Sequence, residues 1–370
     1  MDEKLVTLAI HTFQKAQIIK TILESEGIET YLHNVNLIQP VVSSGVRIRI
    51  KESDLPAALR IIENSELFLE ENAPEEKKNH KKSVLIPIDF SEYSLRACEL
   101  GFHYAKDISA EVILFHAFFV PSFSNLIIHS EVLPYRTVNG ENILNFEKKA
   151  RKELKEYETF ILQKIKSKEW PEVPFRTELR NGLPEEEIIH FAKQEEPELI
   201  IMGTRGKNQK DTDLIGSVTA EVLEMSKFPL LTIPEETPFR NLSTIKQIAF
   251  GTSFAQKDLI IFDKLFKMNQ MSSMEYVFFH ISHDRDVWDE IKLAGIKEYF
   301  LKQYPNTSIR YRIINADDFV LNLEKFIREE SIELITLPSY TRNLFARMFN
   351  PSIARKMLFH TNTPLLAIPY

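Results

Sequence analysis

The sequence predicts an α/β protein with two copies of a five-stranded parallel sheet, preceded by a small α+β segment. The first observation is that short apolar runs alternate with amphipathic helical segments, as in strands joined by helices. The second is an internal repeat, since residues 83–94 align with 247–258, and residues 111–118 align with 275–282 at the same separation. The third is that the segment before both copies has a different order of elements.

The amino-terminal segment predicts a strand, a helix, two strands and a closing helix. Residues 46–51 (VRIRIK) alternate apolar and basic side chains, which is typical of a half-buried strand. Ser53 is placed to cap the closing helix. This βαββα order resembles a small domain of unknown function described as prokaryotic signal-transducing. The segment shows no catalytic constellation, so a docking or regulatory role and a simple packing module both stay open.

Two polar stretches divide the chain. Residues 70–82 are almost wholly charged or polar, which indicates a solvated linker. Residues 234–243 contain two prolines and have no apolar periodicity. The predicted organisation is a small α+β domain at 1–69, a linker at 70–82, and two large domains at 83–235 and 244–370.

A cluster of glycines follows the fourth strand of the first copy. Gly203, Gly206 and Gly216 are three of only ten glycines in the chain, and Ser217 comes next at the start of a helix. Asp89 follows the first strand, and the carboxyl ends of parallel strands meet at one edge of a sheet. Backbone N–H groups and a helix start at that edge favour an anion such as a nucleotide phosphate.

Two common nucleotide motifs do not fit this cluster. A Walker loop needs a glycine, four intervening residues and then Gly-Lys, followed by Ser or Thr. The pair Gly206-Lys207 is instead followed by Asn208, and Ile201 stands at the upstream position. The GxGxxG fingerprint of dinucleotide-binding folds is also absent.

The spacing Gly-x-x-Gly, nine residues, Gly-Ser resembles the ATP-binding signature of the universal stress protein family. The resemblance covers residues 83–234 and includes the opening strand with PIDFSEYS, the strand VILFHAF and the stretch RNGLP before a helix. It implies two Rossmann-like domains of the adenine nucleotide alpha hydrolase type, with ATP and Mg²⁺ as ligands. It further implies a cytoplasmic stress or signalling regulator with an unknown protein partner.

The resemblance also implies which residues bind ATP. Asp89 and Pro87 would contact the nucleoside, and Ala117 would lie against the base. Phosphate binding at the helix start is supported independently by the helix dipole, its free N–H groups and the hydroxyls of Ser217 and Thr219. The expected ATP-binding residues are Pro87, Asp89, Ala117, Met202, Gly203, Gly206, Gly216, Ser217, Val218 and Thr219.

The second copy departs from this pattern while keeping its spacing. Proline has no N–H and a fixed φ, so it does not replace glycine at a phosphate-binding loop. The sequence therefore predicts a second copy that keeps its fold and has lost its nucleotide site. The replacements are Ser253 for Asp89, Pro338 for Gly203, Thr341 for Gly206 and Pro351 for Gly216.

The last strands of the two copies, residues 228–234 and 363–369, are apolar. A bare apolar sheet edge promotes aggregation, so we expect the two strands to cover each other. In the family that the chain resembles, such strands pair across a dimer. Here both copies lie in one chain, so we expect intramolecular pairing around a pseudo-twofold axis. A further homodimer stays open.

Composition limits the other function classes. The net charge of −7 gives no basic surface for nucleic acid, and no apolar run approaches the length of a membrane span. Cys98 is the single cysteine and lies on an apolar helical face, so we expect an inert core thiol. His116 and His280 recur at matching strand ends and are expected to be structural. Metal binding by residues 280–286 (HISHDRD) is not expected, since a fourth ligand is missing.

No evident general base accompanies the glycine cluster, so we expect a binding protein rather than an efficient enzyme. Two alternatives remain open. One is an interaction scaffold that needs no nucleotide, and the other is a weak ATP hydrolase or phosphoryl transferase. Nucleotide that copurifies with the protein would separate the first alternative from ATP binding, and turnover of labelled ATP would separate the second.

Overall fold

The computed structural model describes most of the chain. The described residues are 5–11, 13–33, 46–55, 57–58, 61, 81–119, 140–204, 217–252, 256–268, 274–282, 287–315, 319–339 and 363–369. The strands are β1 (Leu5–His11), β2 (Tyr31–His33), β3 (Val46–Lys51), β4 (Ser83–Pro87), β5 (Glu111–Phe118), β6 (Phe175–Asn181), β7 (Leu199–Gly203), β8 (Leu230–Ile233), β9 (Gln247–Gly251), β10 (Glu275–Ser282), β11 (Ile309–Asn315), β12 (Leu334–Ser339) and β13 (Leu365–Pro369). The helices are α1 (Phe13–Ser25), α2 (Glu92–Ile108), α3 (Gly140–Lys166), α4 (Pro184–Glu195), α5 (Ser217–Met225), α6 (Gln256–Met268), α7 (Val287–Gln303) and α8 (Phe319–Glu329). Two 3₁₀ turns lie at Glu52–Asp54 and Leu242–Thr244.

The small amino-terminal module is a three-stranded antiparallel sheet with α1 packed on it. Its strand order is β1-β3-β2, so β1 and β2 are the two edge strands. The module has its own apolar core, which includes Leu8, Ile19, Leu23 and Ile50. The alternation in β3 is confirmed where burial is described, because Ile48 and Ile50 are fully buried and Arg49 lies between them half-exposed.

The two large copies form one ten-stranded sheet. Its order is β11-β10-β9-β12-β13-β8-β7-β4-β5-β6, and each half is a five-stranded parallel sheet as the repeat predicts. The halves meet where β13 pairs with β8 in antiparallel register, with Leu366 opposite Leu231. The expected intramolecular pairing of the final strands is therefore confirmed, and the two predicted sheets are continuous rather than separate.

Helices cover both faces of this sheet, and alternate residues of a strand contribute to separate apolar cores on the two faces. Val84 and Ile86 point to the face covered by α2, α3, α6 and α7. Leu85 points to the face covered by α4, α5 and α8. Both cores run through the junction of the halves, since each includes side chains from both copies. Among the described residues, no helix is both long and apolar enough to cross a bilayer.

The internal repeat extends to matching polar contacts. The Nδ1 atom of His116 lies 2.8 Å from the carbonyl oxygen of Ile88, and that of His280 lies 2.8 Å from the carbonyl oxygen of Thr252. These two histidines hold the chain where it leaves the first strand of each copy, as their structural interpretation predicts. Each outer edge strand also carries an arginine paired with the carboxylate that begins its neighbour strand, Arg176 with Glu111 and Arg310 with Glu275.

Cys98 is fully buried on α2, and its thiol accepts a hydrogen bond from the hydroxyl of Tyr157 at 3.7 Å. Burial raises the pKa of this thiol to about 12. A thiol is nucleophilic only as the thiolate, so this one is unreactive near neutral pH. The expectation of an inert core thiol is confirmed.

Candidate functional site

The candidate site lies where the strand order of the first copy reverses. From β4 the chain adds β5 and β6 on one side, and it then returns to add β7 and β8 on the other. Strands β4 and β7 are parallel neighbours, so Pro87 and Gly203 end at the same rim of the sheet. In open α/β sheets the crevice at such a reversal is where ligands bind.

Asp89 lies in the turn between β4 and α2, and the turn fixes its carboxylate. Its Oδ1 atom accepts from the hydroxyl of Ser91 at 2.6 Å and from the backbone N–H of Ser91 at 3.2 Å. Ser91 in turn caps α2 by accepting from the N–H of Ser94. Ser91 rather than Asp89 therefore caps the start of α2. The half-buried carboxylate of Asp89 is held at the rim next to the start of the helix.

The residue between them, Phe90, has a left-handed backbone conformation with φ of 63°. This conformation is unfavourable for a side chain of this size and is found mostly at turns and functional sites. The Phe90 ring packs against His116 at 4.5 Å and against Tyr157 at 5.5 Å between ring centroids. These contacts stabilise the turn that presents Asp89. Phe90 was not among the expected site residues, because no pattern in a single sequence marks this conformation.

Gly203 is held by two neighbours. The hydroxyl of Thr219 donates to the carbonyl oxygen of Gly203 at 2.8 Å, which ties the first turn of α5 to the end of β7. A Cβ atom at Gly203 would lie 2.7 Å from the Cβ of Tyr93 and 2.9 Å from its carbonyl carbon. Glycine is thus required by the close approach of α2 to β7. The glycine spacing in the sequence does not reveal this packing constraint.

Thr219 was expected to offer its hydroxyl to phosphate. The hydroxyl is instead used inside the protein, because the side chain is only 5% exposed and donates to Gly203. Its observed contribution is to position the helix start, where the first backbone N–H groups of α5 lack partners within the helix. Its assignment as an ATP-binding residue thereby shifts from the side chain to the backbone and stays a prediction.

The structure places the remaining predicted residues unequally. Met202 is 4% exposed and packs in the core beneath the rim, while Ala117 and Val218 are half-buried beside that core. Ser217 begins α5. Gly206 and Gly216 lie outside the described residues, as does the loop between them. The ATP-binding assignments of this set stay predictions.

Among the described residues, metal ligands do not gather at this rim. Within the described ranges, no group of three or more His, Cys, Asp or Glu side chains is placed to hold a metal ion. Residues 283–286 of the HISHDRD stretch lie outside those ranges.

His116 supplies a pH-dependent contribution to stability. Desolvation by burial lowers the pKa of His116, and the hydrogen bond to Ile88 opposes that effect only in part. A lowered pKa means that the unfolded chain binds the proton more readily, so the neutral imidazole stabilises the fold above the unfolded pKa of about 6.5. This stability is lost as the pH falls below that value.

We therefore expect the free energy of unfolding to decrease from pH 7 to pH 5, with a part of the decrease due to His116. The variant His116→Asn keeps a donor toward Ile88 and removes the titrating ring, so its stability should fall less steeply over the same range. Urea unfolding at several pH values measures both slopes. Identical slopes in the two proteins would contradict a buried neutral imidazole.

The corresponding rim of the second copy is built differently. Gly251 takes the position of Pro87, and the side chain of Leu337 packs so closely that a Cβ there would lie 2.5 Å from it. Thr252 donates its hydroxyl to the buried carboxylate of Asp258 at 2.8 Å. Pro338 is buried at the end of β12, where the first copy has Gly203. Ser253, Thr341 and Pro351 lie outside the described residues, so the loss of the second nucleotide site stays a prediction.

Comparison with known proteins agrees with this architecture. Residues 81–234 match the family model "Universal stress protein family", and residues 13–66 match the model "Putative prokaryotic signal transducing protein". A solved universal stress protein from Archaeoglobus fulgidus covers 78% of this chain and 98% of its own at a TM-score of 0.57. Its sequence identity of 17% supports the shared fold alone.

Comparison of sequences identifies the family more directly than this structural match does. The universal stress protein MJ0531 of Methanocaldococcus jannaschii is 32% identical over 158 residues, which cover 42% of this chain and 84% of the relative. MJ0577 from the same organism is also 32% identical over 158 residues and is covered over 94% of its length. Because these relatives are matched over nearly their whole length, the chain belongs to the universal stress protein family.

Proposed function

We propose that the first copy binds ATP at the carboxyl ends of β4 and β7. The observation that carries this proposal is the convergence of three chain segments at the strand-order reversal. The turn that fixes Asp89, the end of β7 at Gly203 and the start of α5 are joined there through Ser91, Tyr93 and Thr219. Because these contacts between the described segments are already made, less ordering is needed there when the ligand binds.

Each segment offers a distinct chemistry to the nucleotide. The Asp89 carboxylate accepts hydrogen bonds and suits ribose hydroxyls or the amino group of adenine. The start of α5 offers unpaired N–H groups and the positive end of a helix dipole, which suit phosphates. The glycine spacing between β7 and α5 allows the backbone to approach those phosphates closely. Mg²⁺ would bind together with them, since magnesium in such sites takes phosphate oxygens and water as ligands.

We further propose that the protein acts as a nucleotide-responsive regulator of a stress response in the cytoplasm. Membership of the universal stress protein family supports the stress-related role. The second copy lacks the glycines, and a separate small module precedes both copies. This organisation suits a protein whose activity as a regulator depends on bound nucleotide rather than one that turns over substrate. The scaffold alternative has one supporting observation, which is the retained fold of the second copy without its glycines.

The test is to identify and then titrate the ligand. Freshly purified protein is denatured and the released small molecules are analysed by mass spectrometry, and ligand-free protein is then titrated with ATP and Mg²⁺ in a calorimeter. We expect ATP in the released fraction and about one ATP per chain. AMP and cAMP serve as controls, because both lack the β- and γ-phosphates and should bind more weakly.

Other outcomes separate the alternatives. Absence of any nucleotide binding would contradict the proposal and favour the scaffold. Rapid release of phosphate from labelled ATP would favour the hydrolase. Two equal sites per chain would show that the second copy has kept its site.

A further inference from the structure

The middle of helix α5 is buried around its whole circumference. Residues 219–223 are all buried, and five consecutive residues at 3.6 per turn cover every direction around a helix. A helix that lies on a sheet normally leaves one stripe exposed to solvent. The neighbouring helix α4 follows this rule, since Glu186, His190 and Lys193 on it are exposed. Something must therefore cover the outer side of α5.

The inner and outer sides of α5 can be distinguished by their contacts. Val222 and Leu223 belong to the core beneath the sheet, and Thr219 is bonded to Gly203. Ala220 and Glu221 take the remaining directions, yet they are only 2% and 3% exposed. Helix α4 packs beside α5 on the same face of the sheet and covers one flank. It leaves the outer side for another element.

Among the described elements, the amino-terminal module also contacts α5. Strand β1 packs against α5, which brings an edge of the module's sheet onto this helix. An edge strand carries unpaired N–H and C=O groups, and proteins commonly protect such an edge by covering it with a helix. The contact places this edge strand of the module against α5, on a helix whose outer side is buried.

We infer that the amino-terminal module controls the nucleotide site by docking on α5 through β1. This inference depends on the proposed function, since α5 is the helix whose first turn would bind the phosphates. A docked module restrains α5, so less order has to be gained when ATP binds. By thermodynamic linkage, docking of the module and binding of ATP each strengthen the other by the same factor. A signal that removes the module from α5 would then release the nucleotide.

The first test uses hydrogen exchange in the unmodified full chain, with and without ATP and Mg²⁺. Coupling predicts that ATP slows exchange of backbone amides both at the start of α5 and in β1. Slower exchange at α5 alone would overturn the inference while leaving the proposed function intact. No change at either place would overturn the proposed function, and the inference with it.

The second test uses a variant of the contact. Ala220→Arg places a long charged side chain on the buried outer side of α5, and Ala294→Arg makes the same change at an exposed position of α7 as the control. We expect Ala220→Arg to speed exchange in β1 and to weaken ATP binding about fivefold or more, within the range of allosteric couplings. The control should change neither. A variant with rapidly exchanging β1 and unchanged ATP affinity would overturn the inference.

Discussion

Replacing Gly203 by alanine is expected to destabilise the folded chain by about 2 to 3 kcal/mol, at the upper end of the cost of overpacking. The added Cβ would lie 2.7 Å from the Cβ of Tyr93, 2.9 Å from its carbonyl carbon and 3.1 Å from its carbonyl oxygen. Most of these atoms belong to the backbone of α2 and are unable to rotate away. Relief therefore requires a shift of the helix against the sheet, with loss of packing in the core that α2 covers.

Two other glycines provide controls of graded severity. Gly101 also approaches a neighbour, but its added Cβ would meet the Cδ1 end of Ile86, which is flexible. Gly295 lies on α7 with nothing within 4 Å of an added Cβ, so Gly295→Ala should stabilise the helix by up to about 1 kcal/mol. Urea unfolding followed by the fluorescence of the buried Trp170 ranks the three variants. Equal stability of the Gly203 and Gly295 variants would contradict the packing explanation.

This result bears on how the nucleotide site should be probed. The glycine spacing that led to the family resemblance includes Gly203, and the sequence alone attributes all three glycines to the ligand. At Gly203 the close approach of Tyr93 on α2 already requires glycine, whether or not a nucleotide binds. Loss of ATP binding in a Gly203 variant would therefore be ambiguous between a lost contact and a shifted helix. Gly216 is the better choice, because it stands directly before Ser217 at the start of α5, where the phosphates are proposed to bind.

Much of the fold could be predicted because it depends on repetition and periodicity. The alignment of residues 83–94 with 247–258 locates equivalent strands and helix starts, and the apolar final strands indicate that the copies pair. Both features are local patterns of the chain, and the β13–β8 pairing confirms their combination. The continuity of the ten-stranded sheet follows from that single pairing.

The details of the site could not be predicted from the sequence as well, because they depend on contacts between distant segments. Phe90 takes a left-handed backbone conformation that its neighbours in the sequence do not predict. The bond from Thr219 to Gly203 joins residues on two elements, and it reverses the expected use of the threonine hydroxyl. The docking of β1 on α5 is a contact between separate modules, which periodicity does not encode.

Replacing Gly216 by valine is expected to weaken ATP binding at least tenfold, a change of about 1.4 kcal/mol in binding free energy. The reason is that a β-branched side chain would stand where the phosphates must approach the backbone directly before α5. Ser217 begins the helix, so the N–H groups that lack helical partners come from the positions just after Gly216. The calorimetric titration is paired with urea unfolding, so that a lost phosphate contact is distinguished from a loss of stability.

The matched control is Pro351→Ala, at the equivalent position of the second copy. Proline at that position lacks the N–H that a phosphate would use, so removing it should leave ATP affinity and stoichiometry nearly unchanged. The pair of variants therefore tests the asymmetry between the copies as well as the site itself. Equal losses in both variants would mean that the second copy still binds nucleotide. A normal affinity in Gly216→Val would place the phosphates elsewhere than at the start of α5, and the coupling to the amino-terminal module would then lose its physical basis.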